Sequence, residues 1–403
     1  MLPKQLVLTC LGNFLIAALM GLALRYVFVG ELDINYRFFI HAHSHVAMLG
    51  WVYLMLYVLM VHYFIPEKQP IYKRLFWLTQ LAVVGMALSF PFQGYAAISI
   101  TFSTLHIFCS YYFVYLIWKN HKTQQFVAQK LLKASLVFMV LSTFGVWCLG
   151  PAVSMYGNMS AFYQIAIQFF LHFQFNGWFL IAVIAVLFCK LKVEKSSNFN
   201  LFYKLLLVST IFTLALPIYW FVPFKIFLWI NGLGVVLQLW ALGLFFIIIK
   251  PYYRSFIKNS PKATVYVFGF AMLGMVLKTA MQSLSFIPEI AQAAYQQRHL
   301  VIGFIHLLML GAITGFLLGF ILKSGLVKYN VFLKTSIVLF ILGFVGTELL
   351  LILQGCMFYF QAGVLPNYFM MLFVFSAFLP LGITGILINI LKKINGTKAA
   401  KKT

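Results

Sequence analysis

The sequence predicts an all-α membrane protein whose helices cross a bilayer about twelve times. Three observations predict this fold: the scarcity of charge, the length of the apolar runs, and the alternation of basic residues between successive loops. Only 9% of the 403 residues are charged and 63% are hydrophobic, whereas a soluble domain carries roughly 25% charged residues. The chain cannot solvate a surface of its size, which excludes a soluble enzyme and a secreted disulfide scaffold.

The apolar runs are each about 20 residues long, which is the length of helix that crosses hydrocarbon. Short loops separate them, so residues 1–403 are predicted to form a single integral membrane domain with a basic tail at 392–403. The first run is too long for a signal-peptide core and has no small-residue cleavage site, which indicates a membrane span. The predicted spans, numbered 1 to 12 in chain order, are 5–29, 38–65, 74–92, 96–118, 130–150, 162–189, 201–221, 226–249, 264–287, 298–322, 332–354 and 367–391.

Basic residues alternate between the two ends of these spans. Of the 29 Lys and Arg residues, 24 lie in the termini or near the loops that follow even-numbered spans. Because cytoplasmic loops attract Lys and Arg, both termini are expected in the cytoplasm, with the lipid bilayer as the surrounding partner and a bacterial inner membrane as the location. The basic residues form no cluster on a polar face, so no nucleic-acid partner is expected.

Histidine is rare in hydrocarbon, and an intramembrane histidine is therefore a functional candidate. Seven of the nine histidines fall in the outer half of even-numbered spans. Each one taken singly could instead bond a neighbouring helix, but seven at one depth favour a shared function. They are His41, His43 and His45 in span 2, His106 in span 4, His172 in span 6, and His299 and His306 in span 10.

The motif His-x4-Gly recurs at an interval of four spans. This spacing predicts three pseudo-symmetric four-helix units, each with one inward-facing histidine. Each glycine would let another helix, or a flat macrocycle, approach the backbone closely. Within span 2, residues four apart share a face, so His41 and His45 are expected to point one way and His43 nearly the opposite way. The three copies are His45 with Gly50, His172 with Gly177, and His306 with Gly311.

Imidazole without nearby thiolate or carboxylate suits haem iron, copper or zinc. Haem fits the composition best, because it needs an aromatic slot between helices and 18% of the residues are aromatic. There is no Cys-x-x-Cys-His motif, so the haem would be non-covalent, of the b type or another. Its propionates need cations, and Arg37 and Arg298 lie near the outer ends of the histidine-bearing spans.

Twelve spans with candidate ligands in spans 2, 6 and 10 resemble the catalytic subunits of haem-copper oxidases and nitric-oxide reductases, and the related NnrS-type proteins of nitric-oxide response. The resemblance implies that one of His41, His43 and His45, together with His299 or His306, holds haem, and that His172 stands at a second metal such as copper. His106 has no counterpart in the family pattern, but it offers a replacement ligand. It implies electron transfer, or the binding or reduction of O2 or NO, with an electron-donor protein or second subunit as partner. Span 7 lacks the paired histidines of the family, so a proton-pumping terminal oxidase is not expected.

Two charged residues lie inside predicted spans, Lys278 in span 9 and Glu348 in span 11. Either a proton path or a structural ion pair would account for them. A second class of function also stays open, since twelve spans with cytoplasmic termini are common among transporters and a histidine cluster suits a metal permease. Two observations count against these alternatives. The two six-span halves show no similarity, which does not favour a transporter built from repeats, and carboxylate ligands for hard cations are few, which does not favour a metal permease.

Overall fold

The computed structural model describes residues 2–123 and 125–399, and it confirms the all-α membrane fold. Within those residues, 12 helices are long and apolar enough to cross a membrane, and no strand occurs. The spans, which keep the numbers given above, are Lys4–Tyr26, Tyr36–Phe64, Pro70–Gln93, Ala97–Asn120, Phe126–Tyr156, Ala161–Leu191, Ser197–Tyr219, Lys225–Lys258, Lys262–Phe286, Arg298–Lys323, Val331–Tyr359 and Tyr368–Lys393.

The starts of several spans follow from residues that cap helices. The side chains of Asn35, Ser160, Ser196 and Asn330 each accept a hydrogen bond from the backbone N–H three residues later. Short polar side chains are favoured at this position because the first N–H groups of a helix lack partners within it. These caps set where spans 2, 6, 7 and 11 begin.

The largest differences from the predicted boundaries occur at prolines and at the C-terminus. Spans 5 and 8 continue as helix through Pro151 and Pro251, near which the prediction ended them. A short helix, Pro288–Gln296, lies in the loop before span 10 and was not predicted. The last helix runs to Ala399, so most of the predicted tail is helical, whereas residues 400–403, which include Lys401 and Lys402, lie outside the described part of the chain.

Spans 2, 6 and 10 share an unusual backbone. Each begins as an α-helix of 10, 12 or 9 residues that ends at His45, His172 or His306. A π-helical segment follows directly, before the α-helix resumes. Because π-helix is rare, its recurrence after the same motif histidine shows that the four-span sequence repeat is also a backbone repeat. The π segments are Val46–Tyr53, Phe173–Phe179 and Leu307–Thr314.

The same three spans are the most enclosed among the described helices. Buried residues make up 78%, 83% and 61% of the central windows of spans 2, 6 and 10, against 33–50% in the other nine. A helix that is surrounded by other helices presents no lipid-facing stripe, and its polar side chains must find partners within the protein. The three spans that carry the motif histidines are therefore the most buried of the described spans.

Contacts divide the described chain into two compact units. The first contains residues 1–120, 261–268 and 314–403, and the second contains residues 121–260 and 269–313. The first two boundaries fall after spans 4 and 8, as the predicted four-span groups require. Within the described residues, however, spans 9 to 12 form no unit of their own and contribute to both. The compact units thus do not coincide with the predicted four-span groups, whereas the repeat itself is seen in the backbone of spans 2, 6 and 10.

The motif glycines are places where neighbouring helices approach closely. A Cβ added at Gly50 would lie 2.9 Å from Val83 Cγ1, and one added at Gly177 would lie 2.6 Å from Phe138 Cγ. At the third copy, the glycine that permits the close contact lies on the neighbouring helix: a Cβ added at Gly274 of span 9 would lie 2.8 Å from the carbonyl carbon of Gly311. Of the two predicted uses of these glycines, helix packing is the one observed.

We expect the variant Gly274→Ala to destabilise the protein by about 1–3 kcal/mol, because the added methyl group meets rigid backbone. The matched control is Gly269→Ala in the same span, where an added Cβ meets nothing within 4 Å. That change should be neutral or stabilising by up to about 1 kcal/mol, since alanine has the higher helix propensity. Thermal melting of the detergent-solubilised protein checks this, and equal melting temperatures for the two variants would contradict the close approach.

Candidate functional site

The three histidines of span 2 face two different sides. The rings of His41 and His45 pack against the end of span 3 and the turn after it, with His41 4.7 Å from Tyr95 and His45 4.4 Å from Phe90 between ring centroids. His43 instead places Nδ1 2.8 Å from the Ala17 carbonyl oxygen of span 1. The predicted division of this span into two faces is confirmed.

His45 is held in a defined orientation by its own helix. Its Nδ1 lies 2.8 Å from the carbonyl oxygen of His41. Since a carbonyl can only accept, Nδ1 carries the proton, and Nε2 keeps the lone pair that can bind a metal. This arrangement, one ring nitrogen donating to a carbonyl and the other free to ligate, is the usual one for histidine ligands.

His172, the equivalent residue in span 6, is held through its other nitrogen. Its Nε2 lies 2.7 Å from the Thr210 carbonyl oxygen of span 7. By the same reasoning Nε2 carries the proton, and Nδ1 keeps the lone pair. Lys278 is close enough to interact with this ring electrostatically. The two motif histidines therefore offer different nitrogens, although they occupy equivalent places in the repeat.

His106 of span 4 is deeply buried and incompletely bonded. Its side chain is 3% exposed, and Tyr53 packs against its ring with centroids 4.6 Å apart. Nδ1 lies 3.4 Å from the Ser110 hydroxyl, while Nε2 has no hydrogen-bond partner among the described residues. The His45 side chain is close enough to interact electrostatically with this ring. Since buried polar atoms in proteins are nearly always bonded, the Nε2 atom of His106 is an unused donor or acceptor beside the span 2 histidines.

The span 10 residues lie along one helix that starts at Arg298. His299 is in its first turn and His306 is its last α-helical residue. Arg37 has the matching place in span 2, one residue after that helix begins at Tyr36, and both arginines are exposed. The structure thus places an arginine eight residues before the motif histidine in span 2 and in span 10.

The predicted second metal is not supported by a ready-made donor set. Among the residues that the structure describes, no group of three or more His, Cys, Asp or Glu side chains could hold a metal ion. His172 and His106 belong to different compact units. A metal held by these two residues stays a prediction.

The two intramembrane charges are also in different units. Lys278 is 1% exposed and donates to Gln282 Oε1 at 2.6 Å, within its own helix. Glu348 is 6% exposed in span 11. Lys278 therefore has a local partner, and a proton path or ion pair between Lys278 and Glu348 stays a prediction.

Polar side chains that the sequence reasoning missed hold the π segments. Asn13 of span 1 donates to the Gly50 carbonyl at 2.9 Å and exchanges hydrogen bonds of 2.7 and 3.0 Å with Gln80 of span 3. Trp51 Nε1 donates to Thr314 Oγ1 at 2.9 Å, which joins the first and third π segments. In span 6, Gln174 accepts from Ser142 of span 5 at 2.9 Å. In the sequence, an amide side chain in the middle of an apolar span is the feature that could have indicated these contacts.

The fold and this geometry define a polytopic membrane protein with intramembrane histidines at repeated junctions between α-helix and π-helix. No protein-family model matches the sequence, and no curated protein is significantly similar to it. The resemblance to the haem-copper oxidases therefore rests on the twelve spans and the positions of the histidines in them.

We expect Asn13→Ala to destabilise the protein by roughly 1–3 kcal/mol, because it leaves the buried Gln80 amide without its partner. Adding Gln80→Leu should recover part of this loss, so the double-mutant cycle should show coupling of at least about 0.6 kcal/mol. Thr9→Val is the control in the same span, since Thr9 bonds only to its own helix at Gln5. Strictly additive melting shifts would contradict the reciprocal amide pair.

Proposed function

We propose that this protein is an integral membrane haem protein that acts in electron transfer or in the binding or reduction of O2 or NO. The observation that carries the proposal is the recurrence of a histidine at the α-to-π junction of spans 2, 6 and 10, the three most enclosed spans described. Segments of π-helix are frequent at functional sites because the extra residue per turn redirects side chains. A structural histidine would not require the same distortion at three equivalent places.

The donor geometry suits haem better than a bare metal ion. The macrocycle supplies four ligands to iron, so the protein needs to add only one or two, whereas zinc or copper sites take three or more ligands from the chain. His45 has its Nδ1 bonded to a carbonyl, which leaves the lone pair on Nε2, and this is the state in which a histidine would hold haem. The buried, unbonded Nε2 of His106 lies in the same four-span group and supplies a further polar atom for a bound group.

The arginines at the starts of spans 2 and 10 support the same proposal. Cations are mildly unfavourable at a helix N-terminus, where the helix dipole is positive, so a negative partner would stabilise Arg37 and Arg298. Eight residues of α-helix place each arginine about 12 Å along the axis from His45 or His306. Carboxylates of a bound haem would meet this need on the outer side.

Span 6 differs from spans 2 and 10 in two respects, and we assign it a different role. Gln164 stands eight residues before His172, where the other two spans have arginine. His172 also keeps its lone pair on Nδ1 rather than on Nε2. Spans 2 and 10 are therefore each proposed to contribute a histidine to haem, without a claim about how their two compact units meet. A second metal such as copper at His172 stays a prediction, because the described residues provide no group of three donors there.

When bound, haem supplies an iron that can exchange electrons or hold a diatomic gas. The chain's own residues would fix that iron in the outer half of an inner membrane and exclude water from it with buried aromatic side chains. An electron-donor protein or second subunit would reduce it. Both termini would lie in the cytoplasm.

The decisive measurement is a reduced-minus-oxidised absorption spectrum of the purified protein, with haem assayed by pyridine extraction. We expect haem, and we expect His45→Ala and His306→Ala each to lose it by tenfold or more, as for other metal-ligand losses. His121→Ala is the control, since His121 lies in the loop after span 4, where its ring is bonded to Gln129 of span 5. A wild-type protein without haem, or equal haem in all three variants, would refute the proposal. If haem is found, the binding of carbon monoxide distinguishes an iron with an open position from one without.

The arginines allow a second test. Removing a cation near haem stabilises ferric iron, so Arg37→Gln and Arg298→Gln should each lower the midpoint potential by on the order of tens of millivolts. The matched control is Lys225→Gln, because Lys225 is the first residue of span 8 and no histidine follows in that helix. A potential unchanged in the arginine variants, or lowered equally in all three, would contradict their assignment to the propionates.

A further inference from the structure

We propose that a pocket at the ends of spans 10, 11 and 12 binds the phosphate group of an anionic phospholipid. The pocket has a volume of about 170 Å³ and lies within the first compact unit. The lipid proposal depends on the cytoplasmic location of the termini that is proposed above, but it does not depend on haem. It can therefore be tested separately from the proposed function. The lining residues of the pocket are Lys328, Asn330, Phe332, Asn389, Lys392 and Lys393.

One wall of the pocket is fixed by a buried asparagine. Asn389 of span 12 is 3% exposed. Its Oδ1 accepts from the Lys328 N–H at 2.9 Å, and its Nδ2 donates to the Lys328 carbonyl at 2.9 Å and to Asn330 Oδ1 at 3.1 Å. Asn330 in turn caps span 11 by accepting from the Leu333 N–H. The loop between spans 10 and 11 is therefore held against span 12 with its backbone in a defined place.

The described residues that line the pocket include three lysines and no carboxylate. Lys393 Nζ donates to the Gly325 and Val327 carbonyls, which holds its ammonium group at the pocket. Lys392 Nζ lies 5.6 Å from the centre of the Phe332 ring, and Lys328 is exposed. The first turn of the helix Val331–Tyr359 adds the positive end of its dipole. Three lysines of like charge at one rim repel one another, and an anion between them removes that repulsion.

The surroundings favour a lipid phosphate over a soluble one. Phe332 and Leu391 flank the lysines and are 44% and 46% exposed. Because the lysines lie where spans end, the ammonium groups can meet a lipid headgroup while the exposed apolar side chains beside them can contact its acyl chains. Basic pockets between helices on the cytoplasmic side of membrane proteins bind anionic headgroups in this way.

Native mass spectrometry of the full chain, titrated with phosphatidylglycerol or phosphatidylcholine, tests the proposal. We expect selective binding of phosphatidylglycerol and a loss of about tenfold or more in the double variant Lys328→Gln/Lys392→Gln. Lys393 is left unchanged because it also bonds the backbone. The matched control, Lys258→Gln/Lys262→Gln, removes the same charge from exposed positions between spans 8 and 9 and should change binding less than twofold.

Equal weakening in the control variant would overturn the proposal, since it would reduce the effect to net charge. Equal binding of the two lipids would also overturn it. A third arm adds inorganic phosphate. Competition by phosphate, with no preference of the protein for phosphatidylglycerol, would assign the pocket to a soluble anion and overturn the lipid assignment.

Discussion

Inside a bilayer every backbone N–H and C=O group must find a partner within the protein. This constraint makes the chain helical throughout its spans, and it also decides which departures from α-helix can persist. The π segments of spans 2, 6 and 10 lie in the most enclosed helices, and side chains from neighbouring helices bond to them: Asn13 to the Gly50 carbonyl, Trp51 to Thr314, and Ser142 to Gln174. A π segment exposed to lipid would have no such partners.

The same constraint orients the histidines. An imidazole in hydrocarbon must bond at least one nitrogen, and the nearest acceptors are backbone carbonyls. His43, His45 and His172 each use a carbonyl, on span 1, on their own helix and on span 7 respectively. Which nitrogen remains for chemistry is therefore decided by which one the carbonyl engages, Nδ1 in His43 and His45 and Nε2 in His172. Equivalent positions in a repeat can in this way acquire different functions without any change of residue type.

Composition and length were enough to predict the twelve spans, because hydrocarbon thickness sets helix length whatever the neighbouring helices are. The prediction failed near Pro151 and Pro251, since a membrane helix tolerates a proline that would end a soluble one. The His-x4-Gly motif predicted the repeat, but no local propensity distinguishes π-helix from α-helix. The Asn13–Gln80 pair and the Lys328 pocket depend on residues far apart in sequence, and only the folded chain brings them together. Haem itself stays a prediction.

The order in which the compact units can be completed follows from their boundaries. The second unit needs nothing beyond residue 313, whereas the first begins with span 1 and requires residues 314–403. During synthesis, the first compact unit therefore stays incomplete after spans 1 to 4 are made, until the later spans that belong to it have been inserted. The earliest helices to emerge are among the last to be enclosed, although the hydrogen-bond partners of Asn13 and His43 already lie within spans 1 to 3.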